Sequence, residues 1–150
     1  MCRTLMACAA GVDVELVRFE GAGSSVVVRV TGWEGEWFDG EIVVRSGFVE
    51  GRVRVGGSRE DLEEWGALLD VLEDEEAYED EDGEVFVGDW PREGRTAYVR
   101  VAAEDPLVVE VRDAPGTGIC VRVPFAMEEG WVAEARARWE ALSVGGSTLG

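Results

Sequence analysis

Carboxylates are the only abundant ionisable side chains that could carry chemistry in this 150-residue sequence. It holds 32 Asp plus Glu against 14 Lys plus Arg, a formal net charge of −18. All 14 cations are arginine, and Lys, His, Asn and Gln do not occur. Without histidine there is no imidazole to act as general base, proton shuttle or metal ligand near neutral pH. Without lysine there is no Schiff base. Serine nucleophiles therefore lack a histidine partner, and so does Cys120. Gly21-Ala-Gly23 matches neither a phosphate loop nor a dinucleotide fingerprint. Carboxylate pairs are so numerous that no single pair stands out as an acid/base couple. An enzyme built on this sequence would take the form of a carboxylate- or divalent-dependent hydrolase. The expectation is no catalytic set and no cofactor.

The acids are unevenly placed. Between residues 60 and 84 lie Glu60, Asp61, Glu63, Glu64, Asp70, Glu73 to Glu76, Glu79 to Asp82 and Glu84, with no base among them. The rest of the chain is nearly neutral. Such a surface can engage a basic partner, even by mimicking phosphates. It can also serve simply as a solvated face. Part of the run approaches a calcium loop, with Asp80, Asp82, Gly83 and Asp89 at the right offsets. Tyr78 occupies the first ligand position, however, and Asp89 stands where a bidentate Glu belongs. No metal site is expected. Cys2, Cys8 and Cys120 are odd in number and lack metal spacing, which suggests a reducing compartment. Cys120 itself reads as a small core or half-buried hydrophobe.

Acidity of this size repels nucleic-acid phosphates and anionic membranes. No apolar run approaches the ~20 residues of a membrane span. The expectation is a cytoplasmic protein with no nucleic-acid or membrane partner.

The elements that would position these residues follow from periodicity. Alternation marks strands over 12–20, 25–31, 37–48, 49–55, 84–87, 95–102, 107–112 and 119–125. Phe38, Ile42, Val44 and Phe48 share one face of the third, and Ile119, Val121, Val123 and Phe125 one face of the last. Ser58-Arg-Glu-Asp61 is a helix start, and Leu62, Trp65, Leu68, Leu69 and Leu72 recur at helical spacing. A second helix carries Trp131, Val132, Ala135, Trp139 and Leu142. The fold class is α+β: a mainly antiparallel sheet of seven or eight strands with two helices, about 58–75 and 128–144, in a loose two-half duplication. Residues 1–11 are expected to be a flexible extension, 12–144 one domain, and 145–150 a flexible tail.

Trp65, Trp131 and Trp139 fall on helical stripes and read as core. Trp33, Trp37 and Trp90 lie in or beside loops, next to acids, where aromatics anchor interfaces. The candidate partner-binding set is therefore Trp33, Trp37, Glu76, Tyr78, Glu79, Asp80, Glu81, Asp82 and Trp90. The strand arginines, Arg29, Arg45, Arg52, Arg54, Arg100, Arg112 and Arg122, are expected to pair across strands with Glu15, Glu41, Glu50 and Glu110.

The run Trp37-Phe-Asp-Gly-Glu-Ile-Val-Val-Arg-Ser-Gly-Phe-Val-Glu-Gly-Arg52, then Glu60-Asp-Leu-Glu-Glu-Trp65, Val109-Glu-Val-Arg-Asp113 and the Trp131 helix resemble a family of small actinobacterial proteins of unknown function. More distantly, the chain is similar to WapI-type immunity proteins, which neutralise a cognate toxin. The resemblance covers roughly residues 13–144 and rests on structural motifs, so it transfers no site residues. It implies a non-catalytic inhibitor that covers a basic protein partner, such as a toxin. The other role open to the sequence is a structural or regulatory adaptor that binds through its sheet face or an edge strand.

Overall fold

The computed structural model describes residues 14–74, 83–92 and 96–149, the last seven by their backbone alone. The expected extension 1–11 lies outside the described residues. Four strands come first: β1 (Val14–Gly21), β2 (Ser24–Glu34), β3 (Trp37–Arg45) and β4 (Glu50–Ser58), followed by α1 (Arg59–Glu73). The second half repeats the order with β5 (Val87–Trp90), β6 (Tyr98–Ala102), β7 (Leu107–Arg112), β8 (Cys120–Phe125) and α2 (Trp131–Leu149). All pairing is antiparallel, and the eight strands form two four-stranded sheets, each with its strands in chain order. The fold is thus α+β, with two matching halves.

Short turns enforce this meander. Between β1 and β2 the turn is Ala22-Gly23, with φ of 51° and 82°. A two-residue turn with both centres at positive φ matches the twist of the strands it joins. Between β2 and β3, Gly40 sits opposite Val30 at a bulge, and the Arg29 carbonyl would lie 2.2 Å from any added Cβ. Trp33, expected in a loop, instead belongs to β2, because pairing resumes past the bulge as far as Glu34↔Trp37.

Register reveals a likeness between the halves. Across β1–β4 the residues Glu15, Arg29, Glu41 and Arg54 stand in one row. Across β5–β8 the equivalent row is Asp89, Arg100, Glu110 and Arg122. Charge alternates in the same order in both. The four arginines each sit in a Val-Arg-Val triplet, at 28–30, 53–55, 99–101 and 121–123. Opposite charges side by side on a wet face stabilise a sheet. Arg100 grips Asp89 with both Nε and a terminal nitrogen, at 2.6 and 2.9 Å. Arg122 reaches Glu110 at 3.7 Å, and Arg52 reaches Glu41 at 3.3 Å. At the β1 end Glu15 pairs with Arg18 at 2.6 Å, and that hydrogen bond holds its carboxyl below the usual range. Of the expected cross-strand pairs, Arg52–Glu41 and Arg122–Glu110 form; Arg100 takes Asp89 and Arg54 takes Asp39 instead, while Glu15 and Arg112 pair within their own strands.

The neighbouring rows point inward. They include Val17, Val28 and Ile42 in the first sheet and Val101, Val109 and Val123 in the second, all buried. One apolar core takes in both sheets and both helices. Phe19 of β1 stacks on Phe125 of β8 at 6.0 Å and tilts against Trp131 at 5.7 Å.

Three expectations of burial fail, two of them where a turn resets the alternation. Phe48 is 95% exposed, because β3 stops at Arg45 and Ser46 Oγ accepts from the Phe48 and Val49 amides to cap a tight turn. Ile119 is 61% exposed beyond the turn built on Asp113. Cys120 is exposed, since it faces Arg112 on the outer side of an edge strand. Helix α2 starts at Trp131 after a turn through Gly130 and runs to Leu149, past the expected end at 144.

The helices touch through a glycine notch. A Cβ on Gly66 would lie 2.5 Å from the Trp139 ring, whose indole N–H donates to the Leu62 carbonyl at 2.6 Å. Arg136 of α2 reinforces the contact, reaching Asp70 at 2.8 Å and Glu73 at 3.2 Å. In an open helix position alanine is about 1 kcal/mol better than glycine. Gly66→Ala should instead destabilise the fold by about 1–3 kcal/mol, because the indole must move. Urea denaturation reads this directly, and an equally or more stable variant would mean that Trp139 does not rest on Gly66.

Candidate acidic and aromatic binding surface

The N-terminal end of α1 is where the sequence-derived candidates partly converge. Ser58 caps the helix: its side chain accepts from the Asp61 amide while the Asp61 carboxylate accepts from the Ser58 amide at 2.8 Å. This reciprocal box satisfies two donors that a helix start otherwise leaves open. Asp61 is only 5% exposed. Its placement requires the glycine before Ser58, because a Cβ on Gly57 would lie 2.7 Å from Asp61 Oδ2 and 2.8 Å from the Phe38 ring. Gly56 likewise makes room for the Trp37 indole.

Above this cap lies a cleft of about 660 Å³, lined by Trp37, Arg59, Glu60, Glu64 and Arg92 among others. Trp33 and Trp37 are both half-buried. The Arg59 guanidinium sits 4.9 Å from the Trp33 ring centre, a cation–π contact, and Trp33 meets Phe38 edge-on at 6.0 Å. The hairpin and the helix start therefore hold two tryptophans beside a charged rim. Along α1, Glu60, Glu63, Asp70 and Glu73 are exposed. Glu64 pairs with Arg92 at 3.6 Å, and Asp70 and Glu73 pair with Arg136. Glu60 and Glu63 make no ion pair among the described residues.

Trp90 does not belong to this surface. It is 1% exposed, lies 5.9 Å from Phe38 in a nearly parallel stack, and donates its indole N–H to the Asp61 carbonyl. The reason is its register: Trp90 shares the inner row of Val99, Val111 and Val121. Proximity to a loop in sequence said nothing of that. Glu76, Tyr78, Glu79, Asp80, Glu81 and Asp82 lie outside the described residues. Arg59 and Arg92, absent from the sequence-derived set, line the cleft. The signal for Arg59 was its place beside the Ser58 cap. Among the described residues no three acids or thiols gather as a metal-holding group, and no helix is long and apolar enough to cross a membrane.

The acids of α1 thus divide by role, and stability should divide with them. Asp61→Ala removes the acceptor for a half-buried amide and should cost about 1–3 kcal/mol. Glu60→Gln with Glu63→Gln, exposed and unpaired, should change stability by less than about 0.5 kcal/mol. Thermal or urea unfolding of both variants checks this; comparable losses would show that Glu60 and Glu63 also hold the fold.

A search among curated proteins gave no match for this chain. A protein-family model, described as a family of unknown function, matches residues 14–144. That span opens at the first residue of β1 and closes within α2, so it takes in both sheets, the capped start of α1 and the cleft above it. The chain is a member of the family of unknown function DUF5959.

Proposed function

We propose that this chain is a non-catalytic, cytoplasmic, acidic binding protein that covers a basic protein partner, in the manner of an immunity-type inhibitor of a toxin. The observation that carries the reading is the pair of exposed acids Glu60 and Glu63 at the start of α1, which make no ion pair among the described residues. Glu60 lines the cleft with Trp37, Trp33 packs against Arg59 beside it, and α1 runs on in sequence into the acid-rich segment 73–84. Such acids raise the encounter rate with a basic surface, and half-buried tryptophans nearby can anchor the complex. The similarity to WapI-type immunity proteins, and with it an actinobacterial source, belongs to the same reading.

A second reading, an adaptor subunit engaging through a sheet face or edge, draws on Phe48, which the β3–β4 turn holds 95% exposed. Affinity capture with the immobilised parent chain, beside a variant with Glu79, Asp80, Glu81 and Asp82 neutralised, separates the two. Under the inhibitor reading one stoichiometric basic partner is held by the parent. Its association rate at low salt falls about tenfold or more in the variant. An unchanged rate would sink the inhibitor reading. Retention by the variant but loss on changing Arg52 and Arg54 would favour the adaptor.

A further inference from the structure

A second cleft, of about 610 Å³, opens at the other end of α1, between the β6–β7 turn and the β8–α2 connection. Its floor is apolar: Leu72, Leu107, Phe125 and Val132 are buried there, and Met127 and Trp131 lie half-buried at its lip. Its charged lining is entirely acidic, with Glu73, Glu104, Asp105, Glu128 and Glu129 and no arginine. Glu73 and Glu104 already hold Arg136 and Arg122. Asp105, Glu128 and Glu129 make no ion pair among the described residues. Glu128 and Glu129 also suit the start of α2, but Asp105, on a different turn, has no such helix to serve.

An apolar floor rimmed by acids, three of them without an ion pair among the described residues, selects its ligand by charge. Phosphates, anionic lipid headgroups and acidic peptides are repelled, while the floor has nothing to offer a fully hydrated cation. We propose that this cleft takes a short segment of a basic protein, with one apolar side chain seated against Met127 and Trp131. Arginine or lysine on either flank of that side chain meets Asp105 and the Glu128–Glu129 pair. A half-buried methionine adapts to varied side chains, and a tryptophan supplies a large rigid contact. The proposal rests on the reading of a basic partner and names the element that partner inserts.

The test is fluorescence anisotropy with a dye-labelled peptide bearing a central leucine between arginine pairs. Matched peptides carry glycine for the leucine, or glutamate for the arginines. The full chain should bind the first and neither of the others. The exposed triple change Asp105→Asn, Glu128→Gln, Glu129→Gln should weaken binding about tenfold and flatten its salt dependence. Glu50→Gln with Glu140→Gln, exposed acids that line neither cleft, should leave it unchanged. Absence of binding, equal binding of the glycine peptide, or insensitivity to the triple change would overturn the proposal. Loss confined to the Glu60→Gln, Glu63→Gln variant would do so too, while leaving the basic-partner reading intact.

Discussion

One buried indole joins the first sheet, the second sheet and the first helix of this molecule. Each four-stranded sheet has a single apolar face, and neither can leave that face in water. Trp90, at the end of β5, lies in a nearly parallel stack on Phe38 of the first sheet and tilts against Trp65 of α1 at 5.5 Å. Its N–H donates to the carbonyl of Asp61, the residue that closes the capping box of α1. Core packing, helix start and sheet-to-sheet contact therefore share one side chain. Trp65 beside it is fully buried, and its own indole N–H has no acceptor among the described residues. The contact is held by ring packing more than by polar satisfaction.

Around that core the charges are sorted. The outer faces of the sheets carry acids and arginines in alternation, so their fields cancel at short range. Arg100, held by hydrogen bonds from its guanidinium to Asp89, has its pKa raised further by that partner, and Glu110 serves both Arg112 and Arg122. These strands need no partner to be electrostatically at rest. The net charge of −18 is left to α1, to the segment after it, and to the turns at the far cleft.

Much of this was legible in the sequence, because alternation and helical spacing report local geometry. Seven of the strands, both helices and the Ser58 cap follow from such patterns, whereas β5 lies at Val87–Trp90 and not at the expected 84–87. The Val-Arg-Val triplets were also in plain view, yet their meaning required register: only pairing shows that each arginine stands in a row with two acids. What misled the reading was the use of chain neighbours as a measure of exposure. Trp90 and Trp33 both sit near turns, but one falls on the inner row of its sheet and the other at a half-open hairpin end. Phe48 and Ile119 continue an alternation that a side-chain-capped turn had already broken. Gly66, which decides how the helices meet, carries no signal in a single sequence, since its partner is 73 residues away at Trp139.

The unpaired acids are what a purely solubilising account explains least well. A surface tuned only for solubility intersperses both signs, and the sheets of this chain do so. On α1 the same chain has arginine available, and uses Arg136 and Arg92 to answer Asp70, Glu73 and Glu64. Among the described residues it leaves Glu60 unanswered at the cleft lined by Trp37, Glu63 unanswered on the same helix, and Asp105, Glu128 and Glu129 unanswered around the other cleft. Like charges without a partner oppose folding slightly and contribute nothing to the core. Their placement makes physical sense when the opposite charge arrives on another molecule, which would relieve the repulsion and cover the apolar surface in one step.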